Sequence, residues 1–202
     1  MKLMNQTLEA APVAWSWSKR RDKKNALLAK ASSFTKGRII APEKIVEALE
    51  TLIQSGDRVA LEGDNQKQAD FLSRSLAKVD RRKIHDLHML ISSVSRPEHL
   101  DLFENGIAHK VDFAYAGPQS LRVAQLLEDK KLDIGAIHTY VELYARMFVD
   151  LIPNVALVCA EKGDPEGNIY TGPNTEDTPT IVEAVAFSQG LVIFQVNEIT
   201  DW

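Results

Sequence analysis

From about residue 40 the chain alternates short apolar runs with longer stretches of helical period, and this alternation limits the fold more than any other feature. The apolar runs are RVAL (58–61), HDLHMLI (85–91), KVDFAY (110–115), LDIGAI (132–137), NVALVCA (154–160) and GLVIFQVNEI (190–199). Between them, apolar residues recur at helical spacing: Ala69, Leu72, Leu76 and Val79, then Leu121, Ala124 and Leu127, then Ile181, Val182, Val185 and Ala186. Strands joined by helices of this length pair in parallel through crossovers. Most of the strands are apolar throughout, as when helices cover both faces of the sheet. The expectation is an α/β fold, a mostly parallel sheet with helices on both faces, Rossmann-like in kind.

Local signals place the boundaries. Pro42 suits a first helical turn, with Ile45, Leu49, Leu52 and Ile53 following, and Gly56 serves as a C-terminal cap. A short helix is predicted over 97–104 and another over 140–147. The stretch 163–173 holds Gly163, Pro165, Gly167, Gly172 and Pro173, and reads as a loop or hairpin excursion. Asp177 or Thr178 caps the next helix, with Pro179 in its first turn. Residues 1–38 are poorly periodic and read as an N-terminal arm with a short helix near 25–31; residues 39–202 form the α/β domain. The chain stops just past its last apolar strand, which suggests the front half of something larger.

Net charge is −4, so there is no global basic field of the kind that draws a protein to nucleic acid. The single cysteine, Cys159, lies in an apolar run and reads as a small buried hydrophobe; no disulfide can form within the chain, which points to the cytosol. No apolar stretch reaches the ~18 residues of a membrane span. The segment 15–24 (WSWSKRRDKK) sets two tryptophans before a basic cluster. Two readings stand side by side, contact with an anionic or membrane surface and packing of the tryptophans on another part of an assembly; the lack of a sustained amphipathic face favours the second.

In an open parallel sheet, ligands bind at the carboxyl ends of the strands. The first such segment, Glu62 to Gln66, offers Gly63, Asn65 and Gln66 before a helix, able to set donors against a phosphate or carboxylate; it equally reads as a polar turn. It carries no GxGxxG and no Walker lysine. Gly117 follows the third strand, and His138 follows the fourth and is the best placed of the five histidines. Asn197 and Glu198 belong to the end of the last strand, where a solvated terminus is an equal reading. Glu104-Asn105-Gly106 sets a carboxylate beside a glycine turn, where it could act as a nucleophile, but the favoured reading is a helix C-terminus with Asn105 and Gly106 left-handed. No GxSxG elbow and no metal-ligand spacing is present.

The run 135–150 (GAIHTYVELYARMFVD), followed by IPNVALV (152–158), resembles the alpha subunit of bacterial malonate decarboxylase. So do LFENGI (102–107), Phe113 and GPQS (117–120), and the resemblance runs from about residue 10 to the end. That family is similar to the type I CoA-transferases, whose landmarks match Glu166-Gly167-Asn168 and the Val196-Asn197 strand end. The resemblance implies an acyltransferase that replaces acetyl by malonyl on a carrier-protein thioester and releases acetate. The thiol belongs to a CoA-like group, phosphoribosyl-dephospho-CoA, carried by the acyl carrier protein rather than bound tightly by this chain. It implies as partners that carrier protein and the other decarboxylase subunits, with malonate and acetate as small molecules. The family subunit has two related halves, of which this chain matches the first. Its nucleophilic glutamate is expected in the second half, beyond Trp202, and this chain alone is expected to be inactive. Gly63, Asn65, Gln66, Gly117, His138 and Asn197 are then candidates for binding the thioester or substrate. A simple CoA-transferase, a citrate lyase-type transferase subunit and a non-catalytic carrier-docking domain are the alternatives.

Overall fold

In the computed structural model, residues 17–63 and 67–201 are described. Helix α1 (Trp17–Ala31) comes first, followed by a two-residue hairpin of β1 (Thr35–Lys36) and β2 (Ile39–Ile40). Then come α2 (Ile45–Leu52), β3 (Arg58–Leu61), α3 (Asp70–Leu76), β4 (Leu87–Ser93), α4 (Pro97–Glu104), β5 (Ala108–Tyr115) and α5 (Ser120–Glu128). The chain continues through β6 (Asp133–Ile137), α6 (Tyr140–Val149), β7 (Val155–Gly163), β8 (Ile169–Tyr170), α7 (Thr178–Phe187) and β9 (Leu191–Ile199).

The main sheet has seven strands in the order β6-β5-β4-β3-β7, with β9 and β8 both on β7. All its pairings are parallel except the short β8, which turns back on the end of β7 as the predicted hairpin excursion. Helices cover both faces, as the apolar strands require. Val59, Leu61, Met89, Ile91, Val111, Phe113, Leu157 and Ile193 face α1 to α5 in one core. The alternate positions Ala60, Leu90, Ala156 and Val158 pack against Leu143 and Met147 of α6 and Ile181, Ala184 and Val185 of α7. Each fully buried Leu or Ile contributes about 1.5–3 kcal/mol by leaving water, so neither face can be stripped without loss of the sheet.

Several expected boundaries move for local reasons. The strand predicted over 85–91 starts only at Leu87, because Asp86 adopts a left-handed φ of 57° and closes a turn. Gly56 is left-handed at φ 81°, yet α2 ends at Leu52; the glycine serves the following turn rather than the helix cap. In α5 the buried residues are Val123 and Leu126, while Leu121 is 84% exposed. The helix expected near 25–31 extends back to Trp17, and it inserts Leu27 and Ala31 into the main core beside α2. Among the described residues no helix is long and apolar enough to cross a membrane.

Candidate functional site

Strand order reverses at β3: the chain next builds β4, β5 and β6 on one side of it, then returns to lay β7 and β9 on the other. The crevice of such a sheet opens between the carboxyl ends of the two strands that flank this point, here β3 and β7. Glu62 follows β3 directly at that position and is fully buried. Its Oε2 accepts hydrogen bonds from the Cys159 N–H at 2.8 Å and the Cys159 thiol at 3.1 Å. Its Oε1 accepts one from the Thr178 hydroxyl, and the Lys67 ammonium stands 3.7 Å away while donating to Thr178 Oγ1 at 2.7 Å. Burial pushes the Glu62 carboxyl above its ordinary range, and these donors and the lysine oppose that shift. Burial, then the neighbouring Glu62 carboxylate, pushes the Cys159 thiol up as well, so it is a hydrogen-bond donor and not a nucleophile.

A second buried carboxylate lies at the start of α7. Asp177 is the residue before the helix, but its side chain does not cap it. Its oxygens accept instead from Ser92 Oγ at the end of β4 and from the Tyr144 hydroxyl of α6. Burial and this carboxylate together push the Tyr144 phenol up, so the hydroxyl keeps its proton. On the other side, Gln195 of β9 donates to Asp70 at 3.0 Å and accepts from the Leu72 N–H at 3.1 Å, tying β9 to α3. The crevice floor is therefore a polar lattice that joins β3, β4, β7, β9, α3, α6 and α7. It was not assembled from the sequence, since Glu62 and Thr178 are 116 residues apart. The visible signals were a carboxylate directly after the first strand and the DTP (177–179) helix start.

Of the residues singled out by sequence, Gly63 belongs to this place. A Cβ there would stand 2.4 Å from the Ser93 carbonyl oxygen and 2.6 Å from Ile91 Cγ2, so only glycine lets β3 and β4 close together. Its own carbonyl accepts from Ser95 Oγ at 3.0 Å. Asn65 and Gln66 lie outside the described residues. Gly117 sits at the carboxyl end of β5, with φ 46°, where a side chain would meet the Tyr115 ring at 2.7 Å. Asn197 is exposed within β9, which continues through Glu198, itself ion-paired with Lys162 at 3.0 Å.

His138 follows β6, the far edge strand, and its ring is wholly buried. Its Nε2 lies 2.6 Å from one Asp112 oxygen, and His88 Nε2 lies 2.6 Å from the other. Gly135 makes room for this carboxylate: a Cβ there would fall 2.0 Å from Asp112 Oδ2. The Asp112 carboxylate thus links β4, β5 and the end of β6 through His88 and His138, away from the crevice at β3 and β7. Glu104 pairs with Arg122; Gly106 is left-handed as expected, whereas Asn105 stays helical at φ −82°. Asp164 organises the Glu166-Gly167-Asn168 turn by accepting from the Asn168 backbone at 2.8 Å and from its side chain at 2.7 Å.

His99, on α4, is fully buried, and neither ring nitrogen has a hydrogen-bond partner. Burial lowers its pKa to about 4, so the ring stays neutral. Two small clefts lie elsewhere, beneath α1 and away from the carboxyl ends of the strands. Among the described residues no group of three or more His, Cys, Asp or Glu is placed to hold a metal ion.

Comparison with known proteins adds relatives to this geometry. The family described as "Malonate decarboxylase, alpha subunit, transporter" matches residues 16–202. The chain is 54% identical over 168 residues to the acetyl-S-ACP:malonate ACP transferase of Malonomonas rubra, an alignment covering 83% of this chain and 30% of that protein. It superposes with a TM-score of 0.90 and 64% identity on a chain of a Pseudomonas malonate decarboxylase hetero-tetramer crystallised with malonate, covering 92% of this chain and 34% of that one. At 16% identity it shares the fold of the glutaconate coenzyme A-transferase of Acidaminococcus fermentans, with a TM-score of 0.61 over 77% of this chain and 66% of that one. The chain spans about a third of the length of the malonate-linked relatives it matches.

Proposed function

The chain belongs to the malonate decarboxylase alpha-subunit family, and on that premise we propose that it supplies one CoA-transferase-like unit of a subunit that exchanges acetyl for malonyl on an acyl-carrier-protein thiol. The observation that carries this reading is 54% identity to a protein named for that transfer, on a chain whose strand reversal opens a crevice at β3 and β7. The proposed division keeps 39–202 as the domain and 1–38 as the segment before it, of which α1 contributes Leu27 and Ala31 to the domain's core. The partners in this reading are the carrier protein, bearing its phosphoribosyl-dephospho-CoA arm, and the other decarboxylase subunits. Malonate enters and acetate leaves.

Acyl exchange on a thioester needs a carboxylate to attack the carbonyl and donors to steady the oxyanion. Among the described residues, the crevice carboxylates Glu62 and Asp177 have both oxygens committed to internal donors. We therefore assign them to shaping the crevice and place the nucleophile in another part of the longer subunit. Lys67 is held nine-tenths buried by Glu62 and Thr178, which anchors the chain after β3. Gly63, Asn65 and Gln66 stand directly before it in sequence, so we propose that they line the path of the thioester arm. Gly117, His138 and Asn197 are given positioning or surface roles.

The test is a transfer assay with acetyl-carrier protein and malonate, run on this chain and on the complete subunit, with citrate as competing acid. Turnover is expected from the complete subunit with malonate and not from this chain alone. Robust activity from residues 1–202 would sink the assignment of the nucleophile, and preference for citrate would sink the substrate. Replacing Asn65 or Gln66 in the complete subunit should raise KM for the thioester, with kcat less affected; an unchanged KM removes them from the path.

A further inference from the structure

In a parallel ladder, a residue that faces its neighbouring strand bonds it twice. Its N–H donates to one carbonyl, and its own carbonyl accepts from the N–H two residues further along the neighbour. Val59 to Leu61 of β3 run in register beside Val155 to Leu157 of β7. Glu62 begins the next step, with its N–H donating to the Leu157 carbonyl at 2.9 Å. A regular ladder would complete that step with the Cys159 N–H donating to the Glu62 carbonyl. Here the Glu62 carbonyl accepts from the Ala69 N–H at 3.0 Å instead, and the Cys159 N–H donates to Glu62 Oε2 at 2.8 Å. The side chain of Glu62 has taken the place of its own main chain.

This exchange turns the backbone out of the sheet. With the Glu62 carbonyl on Ala69 and Gly63 bridged antiparallel to Gln68, the chain from Glu62 closes back on itself ahead of α3. Strand β7 meanwhile continues to Gly163, which pairs with Ile199 of β9. Lys162 and Gly163 pair with β8 as well; since β9 holds one edge of β7, β8 lies on the edge that β3 holds lower down. The crevice is the interval along that edge between Leu157 and Lys162, and a carboxylate fills the ladder place at its base. The other oxygen of Glu62 is pinned by the Thr178 hydroxyl, with the Lys67 ammonium 3.7 Å away. Thr178 opens α7, and Lys67 stands just ahead of Gln68, so one side chain ties β7, α7 and the returning chain together.

We propose that Glu62 is a positioning residue of the transfer site: its carboxylate occupies the ladder place on Cys159 that its own carbonyl would fill, and so stops β3 from pairing further along β7. The alternative is built into the same residues. Without the carboxylate, the buried Cys159 N–H lacks an acceptor, at a cost of about 1–3 kcal/mol. The Glu62 carbonyl can supply one by giving up Ala69. β3 then gains a step, the chain ahead of α3 opens, and Gly63 is drawn off its close approach to β4. Lys67 compensates the charge of the buried carboxylate, which would be costly to hold unpaired. Glu62 touches no reacting atom and acts through the backbone that it directs. This role rests on the reading of the crevice as the site of the thioester; the exchange of acceptors at Cys159 does not.

The experiment takes the complete subunit as wild type, E62A, E62Q and K67M, and measures hydrogen exchange by peptide alongside transfer kinetics. In E62A, exchange over residues 62–72 should rise about tenfold or more beyond any rise in β4 over 87–93. KM for acetyl-carrier protein should rise about tenfold or more, with kcat falling less. E62Q keeps an acceptor for Cys159 and should restore part of both. A rise in exchange that is equal in the two segments overturns the proposal, since it reports a loss of stability alone. So does wild-type exchange over 62–72, an unchanged KM beside a local rise in exchange, or E62Q as impaired as E62A. Should E62A not fold, K67M carries the test: a local rise of about tenfold is expected, and wild-type exchange overturns the proposal. Absence of transfer by the wild-type subunit fails the proposed function, while hydrogen exchange still decides whether Glu62 directs the backbone.

Discussion

Replacing Glu62 by alanine would leave Lys67 buried beside an empty acceptor, and Cys159 and Thr178 without theirs. The expected loss is about 3–5 kcal/mol in urea unfolding, with Glu62→Gln losing less because it keeps an acceptor oxygen. Equal losses for the two would mean that the charge matters and the hydrogen bonds do not. Gly63→Ala forces a Cβ to 2.4 Å from a carbonyl oxygen and should cost at least about 2 kcal/mol. His99 gives the acid response. Unfolded imidazole titrates near 6.5 and the folded ring at about 4, so the unfolded chain binds more protons between those values. Stability from this residue is present above pH 6.5 and falls as pH drops toward 4, by up to about 3 kcal/mol. His99→Leu loses no hydrogen bond and should flatten this limb of a stability–pH profile while leaving neutral stability unchanged or higher; an unaltered slope would assign the acid response elsewhere. The sequence marks His99 only as one histidine in a helix. Its burial, and hence its chemistry, depends on neighbours that no local pattern names.

At the scale of elements, α7 is held at the crevice by its first residues. Asp177→Ala removes acceptors from Ser92 and Tyr144, which tie the helix to β4 and α6, and should cost about 2–4 kcal/mol in chemical denaturation. Tyr144→Phe removes one of the two and should cost less than half as much; parity between them would show that the Ser92 contact contributes nothing. The helix itself was legible: Asp177, Thr178 and Pro179 announce a start, and Ile181 and Val185 give its buried face. What Asp177 does was not legible, because a cap and a tertiary acceptor use the same residue type. The same ambiguity explains Gly56, whose positive φ serves a turn four residues past the helix end, and Leu121, apolar yet exposed on α5.

For the molecule as a whole, one sheet feeds both cores, since β3 alone sends Val59 and Leu61 to one face and Ala60 to the other. Neither core can open without breaking the shared strands. A single unfolding transition is therefore expected, with tryptophan fluorescence and far-ultraviolet circular dichroism coincident. An early fluorescence change would show that α1 detaches first despite Leu27 and Ala31. The class of fold, a parallel sheet between two helical layers, was determined by the sequence alone. Period and apolar content are local, and strands without polar alternation have no other way to be covered. The resemblance to a transferase family was likewise carried by contiguous residues. Only the tertiary structure decided which polar groups share the crevice. Strand order brings Glu62, Cys159 and Thr178 together across about a hundred residues of chain, and that same order carries His138 to the far edge of the sheet. Hydrogen bonds and burial act through space, and distance in space is what a linear pattern of residues does not encode.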